Sequence, residues 1–539
     1  MIATSNLGMR FSGKKLFEDV SVKFTPGNCY GLIGANGAGK STFVKILSGV
    51  LDATEGEVIF DKKKRMAVLN QNHFAHEDDT VINVILMGHK KLWTIIEERN
   101  AIYSKEEFSD EDGMRAAELE GEFAELNGWE AEMEAEMLLT GLGIVAENHY
   151  KLMRELSESD RVKVLLAQAL FGRPDVLLLD EPTNGLDIQA IAWLENFLMG
   201  LEDTTVIVVS HDRHFLNKVC THITDIDYGK VKMYVGNYDF WYESNQLMQS
   251  LINNKNKKLD QKRQELQEFI ARFSANASKS KQATSRKKQL DKLQLEDMQV
   301  SNRKYPFVEF KPERDAGNNL LKVENLTKTL DGVKVLDNVS FTINTNDKVV
   351  FISENDNVKT ALFNILSGEM EADSGTYTWG VTVTNSYMPK DNSEFFTNPD
   401  LDLVDWLRQY SPDQHDAFVR GFLGRMLFSG EDATKKAKIL SGGEKVRCML
   451  SRMMLTNANV LIFDNPTDHL DLESITSLNK ALTSFKGTIL FGAHDHEFIQ
   501  TVATRIIEIT PKGIVDKLME YDDYIADEDL QEKIKEMYN

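Results

Sequence analysis

The sequence predicts an α/β protein made of two copies of one domain, each with a largely parallel sheet, joined by an α-helical hairpin. Three observations carry that reading. The chain repeats itself: LFEDVSVKF (16–24) returns as VLDNVSFTI (335–343), and KILSG ending at Gly49 returns as NILSG ending at Gly368, both displaced by 319 residues. Both copies run strand, turn, helix and later strands. Short apolar runs such as VLLLD ending at Asp180 and VIVVS ending at Ser210 suit strands buried on both faces. Between the copies lies a long amphipathic stretch of helical period.

The elements follow in chain order. The first domain spans 1–240. Its later landmark, LLLDEPTNGLD (177–187), returns as LIFDNPTDHLD (461–471) with a displacement of only 284, so the first copy carries an insertion of about 35 residues. It falls within 84–139, a stretch rich in Glu and Ala with helical spacing, and is expected to form a helical arm. The linker spans 241–304. Leu247, Leu251, Leu259, Leu266 and Ile270 mark its first helix, SANASKSKQATS is a small polar tip, and RKKQLDKLQLEDM resumes helix. The second domain spans 305–539.

Composition narrows the function. With 42% apolar and 27% charged residues the chain has an ordinary globular balance, and no run approaches the ~20 apolar residues of a membrane span. Cys29, Cys220 and Cys448 are few and far apart in sequence, which argues against a disulfide framework or metal cluster and fits a cytoplasmic setting. The net charge of −22 opposes nucleic acid as a partner. Residues 251–304 reverse it, with fourteen Lys/Arg against six Asp/Glu, a local +8 in a remainder of −30. Such an island is an electrostatic footprint for a polyanion. Lys279, Lys281, Arg286, Lys287 and Lys288 in the tip are the expected RNA contacts.

The chemistry concentrates in a few motifs. Gly34-Ala35-Asn36-Gly37-Ala38-Gly39-Lys40-Ser41 follows a strand, and Thr42 opens into a helix. Glycines let backbone N–H groups turn around a phosphate, Lys40 reaches the outer phosphates, and Ser41 holds Mg²⁺. Asp180 ends a buried strand where it can bind the metal shell, and Glu181 beside it can polarise a water. His211 follows another strand and could reach the terminal phosphate. Gln71 is a candidate metal or water ligand, and Phe11 can stack on a base or pack in the core.

The second copy lacks this set. Ser353, Asp356 and Val358 replace Gly34, Gly37 and Gly39, and Glu354 adds a second carboxylate. Lys359 and Thr360 survive, while Lys390 replaces Gln71 and Asn465 replaces Glu181; Asp464 and His494 remain. Carboxylates against a triphosphate are repulsive, so this half is not expected to hydrolyse ATP alone. Conversely, Leu440-Ser441-Gly442-Gly443-Glu444 is intact, whereas its counterpart LSESD (156–160) has lost both glycines. The crossed pattern predicts one monomer whose halves pair head-to-tail and share one complete pocket.

At these residues the chain resembles the ABC-F subfamily of ATP-binding-cassette proteins, and within it the bacterial YbiT/YkpA-like group. The phosphate loop, Gln71, LSGGE, DEPT and SHD, the segment GNYDFWYE and the linker phrase RFSANASKSKQATSRKKQLDKL carry the likeness over essentially the whole chain. The resemblance implies two tandem ABC ATPase domains, ATP with Mg²⁺, and a translation factor entering the ribosomal exit-tRNA site. Its basic hairpin would point toward rRNA and tRNA, and its acidic arm would meet a ribosomal protein. Protection of ribosomes from antibiotics is the alternative role. A transporter subunit, a DNA-repair ATPase and a non-catalytic scaffold fit less well, and neither membrane nor DNA is an expected partner.

Overall fold

The computed structural model describes residues 1–11, 14–61, 63–69, 76–105, 109–273, 303–317, 319–330, 332–398 and 400–538. They divide into two compact units. One comprises Met1–Pro182, Leu194–Ser210 and Phe215–Asn302; the other comprises Thr183–Trp193, His211–His214 and Arg303–Asn539.

In the first copy the strand Asn28–Gly34 lies inside a six-stranded sheet. The order is Lys230–Val235, His222–Asp227, Asn28–Gly34, Thr205–Val209, Val176–Asp180, Met66–Val68. All pairs are parallel except the edge strand Lys230–Val235. The continuous apolar runs take the interior because both of their faces are covered, and Val176 to Leu179 are fully buried. A smaller antiparallel sheet carries Ile2–Phe11, Lys14–Val20, Lys23–Phe24 and Glu55–Phe60. The helix Lys40–Leu47 buries Phe43, Val44, Ile46 and Leu47 in a core with Leu32, Leu178 and Ile207.

The second copy repeats the plan. Gly513–Lys517, Arg505–Thr510, Lys348–Ile352, Thr488–Gly492, Val460–Asp464 and Asn385–Met388 form its six-stranded sheet in the same order. Asn319–Leu330, Val333–Asn344 and Ser374–Trp379 make the antiparallel one. In both sheets the carboxylate that ends the DEPT-type strand faces its parallel neighbour in matching register, Asp180 opposite Val209 and Asp464 opposite Gly492.

Helices Lys90–Tyr103, Asp110–Glu125 and Ala131–Gly141 occupy the insertion. Ser109 caps the second of them in a capping box with Asp112. Arg99 bonds Glu120 at 2.7 Å and lies 4.5 Å from the Phe123 ring, and Arg115 bonds Glu98 at 2.8 Å. These contacts tie the first two helices together. A single 36-residue helix, Tyr238–Phe273, leaves the first copy and spans about 54 Å. It starts before Trp241 because the Asn237 side chain accepts the Phe240 N–H at 3.2 Å. Trp241 is buried and donates its indole N–H to Asp225 Oδ2 at 3.2 Å, anchoring the helix to the sheet. Along the expected apolar stripe Leu266 is buried, whereas Leu247 and Leu251 are exposed. Among the described residues no helix is long and apolar enough to cross a membrane.

Candidate nucleotide site

The first phosphate loop is held open by conformations that glycine alone adopts freely. Gly37 has φ 76° and Gly39 has φ 103°. A Cβ on Gly39 would come within 3.3 Å of the Phe17 ring, while one on Gly37 would meet nothing within 4 Å. The loop is therefore close-packed beneath and open at its centre. Gly39 is held in the left-handed region and cannot be helical, so the helix begins only at Lys40. Lys40 is buried, and its Nζ donates to Gly34 O at 2.8 Å, folding the ammonium back over the loop.

Asp180 ends its strand, and Glu181 follows in the left-handed region at φ 54°, its N–H donating to Val209 O at 2.9 Å. A glutamate held there costs about 1–3 kcal/mol, a kind of strain that concentrates at functional sites. His211 comes in the turn between the strand Thr205–Val209 and the helix Arg213–Val219. The side chain of Phe11, the whole of Gln71, and Lys279, Lys281, Arg286, Lys287 and Lys288 lie outside the described residues.

The LSGGE segment of the second copy starts the helix Gly442–Leu455. Ser441 caps it, and Glu444 closes the capping box while pairing with Lys435 at 3.0 Å. The two glycines are needed for packing against His469: a Cβ on Gly442 would stand 3.0 Å from His469 Cγ, and one on Gly443 would stand 2.6 Å from His469 O. The counterpart in the first copy keeps the cap, since Ser157 accepts from Asp160 N–H at 3.1 Å, but places Glu158 and Ser159 where those glycines stand. There Gly185 takes the position of His469.

The second phosphate loop has become helix. The helix Asp356–Ser367 begins three residues before Lys359, the partner of Lys40, because no glycine interrupts it and Asn355 caps it through Asn357 N–H at 3.0 Å. Thr360 Oγ1 donates to Asp464 Oδ2 at 2.6 Å. Asn465 sits at φ 49°, matching Glu181, with its N–H on Gly492 O at 2.9 Å.

Two stretches, 17–184 and 336–468, match the family model described as "ABC transporter", and a companion model with the same description matches 224–310. The "Uncharacterized ABC transporter ATP-binding protein YkpA" of Bacillus subtilis (strain 168) is 65% identical over 539 residues, covering 100% of both chains. "Probable ATP-binding protein YbiT" of Escherichia coli O157:H7 is 46% identical over 98% of this chain and 100% of its own. "ABC transporter F family member 2" of Arabidopsis thaliana is 28% identical over 99% and 80%. This chain belongs to the ABC-F proteins. The two copies are thus tandem ATP-binding-cassette domains. Among solved structures, "Model of ribosome-bound archaeal Pelota and ABCE1" shares the fold, with a TM-score of 0.58, 18% identity, and coverage of 99% of this chain and 86% of that one.

For an ABC-F protein the first cassette's residues fit ATP. The loop is open at Gly37, Lys40 is buried at its base, and Ser41 and Asp180 offer the oxygen donors that Mg²⁺ prefers. Bound Mg²⁺-ATP would supply the phosphoryl group. In that role Lys40 would be the counter-charge and Glu181 the carboxylate that takes a proton from water. Sequence reasoning did not foresee the contact between His469 and the paired glycines, nor the fate of Asp356. The second had a signal: an Asp three residues before a Lys is an ion pair once the glycines that block a helix are gone.

Proposed function

We propose that this ABC-F protein hydrolyses ATP at one composite site and uses it to act on the ribosome as a translation factor. The observation that carries the reading is the crossed set of intact motifs. The open Gly34–Ser41 loop with Asp180 and strained Glu181 stands in the first cassette, and the Gly442–Gly443 turn stands in the second. Lys40, Ser41, Asp180, Glu181, Gln71 and His211 would work together with Ser441 to Glu444 in that site. Lys359, Thr360, Lys390, Asp464, Asn465 and His494 would make the second, inactive one. The ribosome is supported by ABC-F membership, by the fold shared with a protein whose structure title places it on a ribosome, and by the +8 island of 251–304. In this reading the basic tip meets rRNA or tRNA, and the arm built by Lys90–Tyr103, Asp110–Glu125 and Ala131–Gly141 meets a ribosomal protein.

The test is the Glu181→Gln chain. It should release phosphate at least about 100-fold more slowly than wild type, and it should co-sediment with 70S ribosomes in ATP but not in ADP. Near-normal turnover would remove the site assignment. Loss of turnover without ATP-dependent ribosome binding would remove the ribosome.

A further inference from the structure

The second cassette places three donors around one carboxylate. Asp356 Oδ1 lies 2.7 Å from Lys359 Nζ and 3.0 Å from His494 Nε2. Asp356 Oδ2 lies 2.7 Å from Lys390 Nζ and 3.2 Å from His494 Nε2. Lys359, Lys390 and His494 stand where the first cassette has Lys40 and His211, expected at the outer phosphates, and Gln71, expected at the metal or water beside them. Asp356 itself stands at the position of Gly37, where the first loop is open. We propose that the Asp356 carboxylate is a built-in substitute for a phosphate group, so that the second loop is a self-liganded anion site that admits no nucleotide.

The neighbouring groups fit the same reading. Thr360, the counterpart of Ser41, donates to Asp464 at 2.6 Å, so the oxygens that would share a metal satisfy each other. The Glu354 N–H, in the former loop, donates to the hydroxyl of Tyr538 at 3.2 Å, from the last helix of the chain. That hydroxyl in turn donates to Ile509 O at 3.3 Å. Both lysine ammonium groups are already paired with Asp356, so neither is left open for a triphosphate. As an acidic residue in the first turn of its helix, Asp356 also meets the positive end of the helix dipole.

The test uses the full chain with Lys40→Ala, which weakens the first loop. That chain should take up no Mg²⁺-ATP in equilibrium dialysis. Adding Asp356→Ala should lower the unfolding temperature of the second cassette by roughly 5–10 °C, and excess inorganic pyrophosphate should restore at least half of that loss while leaving the Lys40→Ala parent unmoved. Asp356→Asn, which keeps the shape and removes the charge, should respond in the same way if the alanine variant fails to fold. Two results would overturn the proposal: Mg²⁺-ATP uptake by the Lys40→Ala chain that disappears with Lys359→Ala, or Asp356 variants that unfold like the parent and ignore pyrophosphate. A wild-type chain inert toward ATP or ribosomes would sink the proposed function and leave this one standing, since the test uses neither turnover nor ribosomes.

Discussion

Replacing Gly442 with alanine adds one methyl group to a helix, a change that helices ordinarily favour. Here the methyl would stand 3.0 Å from His469 Cγ and 3.2 Å from both Cβ and Cδ2. All three atoms belong to one side chain, and His469 is held at φ 64°, so its room to retreat is small. Overpacking of that kind costs about 1–3 kcal/mol. For a unit of this size the unfolding temperature should fall by roughly 2–12 °C. Removing the obstacle should remove the cost: in a His469→Gly background the same Gly442→Ala change should be neutral or stabilising. The assay is a double-mutant cycle by calorimetry, following the transition of the second cassette, with hydrogen exchange at the start of the helix Gly442–Leu455 as a local check. Equal costs in both backgrounds would refute the packing account, because independent sites add. At Gly443 the obstacle is the His469 carbonyl, 2.6 Å away, which His469→Gly leaves in place. Gly443→Ala should therefore be rescued less.

Glu181→Asn should lower phosphate release about 100-fold or more while raising the stability of the first cassette by about 1 kcal/mol, since asparagine tolerates φ 54° better; a drop in melting temperature would refute the strain. Burial alone would push the Asp356 carboxyl up, but the hydrogen bond and charge of His494 and the charge of Lys359 hold it well below the usual carboxylate range. A depressed carboxyl stabilises above its unfolded pKa of about 3.9. The stability difference between wild type and Asp356→Asn should thus not shrink as pH falls from 8 to 6 and should be lost only in strong acid; a difference that shrinks between pH 8 and pH 6 would contradict the geometry. Trp241→Phe should cost about 1–3 kcal/mol by removing the indole hydrogen bond to buried Asp225, seen as faster exchange at the base of Tyr238–Phe273; unchanged protection would mean that the bond does not anchor the helix.

The repeat made the fold legible. Matching runs at fixed displacement place equivalent strands in equivalent sheets, and Val176 to Leu179 read as a buried parallel strand because every residue is apolar. The first phosphate loop was equally legible, since its glycines have a stereochemical reason. What the sequence did not show was how residues distant along the chain settle one another's charge. Asp356 and Glu354 read as repulsion toward a nucleotide, yet Asp356 has three donors of its own, Lys359 on the same helix and Lys390 and His494 from two other strand ends. The loss of glycines from LSESD read as half of a crossed pattern, with the intact LSGGE in the other copy. In the same copy Gly185 stands at the position of His469, and a Cβ there would meet nothing within 4 Å, so no counterpart of the His469 packing is built.

Backbone conformation gives a second, independent view of the asymmetry. Each cassette has the same two left-handed positions, Glu181 and Gly185 in the first, Asn465 and His469 in the second. Glycine adopts this region freely and asparagine more readily than most residues, whereas glutamate is ill suited to it and histidine costs more than glycine. The first cassette, which keeps its phosphate loop, therefore keeps the less comfortable residue at the end of the strand Val176–Asp180 and relaxes the other position. The second relaxes the former and keeps the less comfortable one against Gly442 and Gly443. Strain survives where surrounding structure and function both require it, and here the strained position differs between the copies as the retained motif does. Relaxation at random would have no reason to follow the motifs. A Gly185→His substitution, which reintroduces the costlier residue where the glycine pair is gone, should accordingly lower stability without restoring any activity to the second loop.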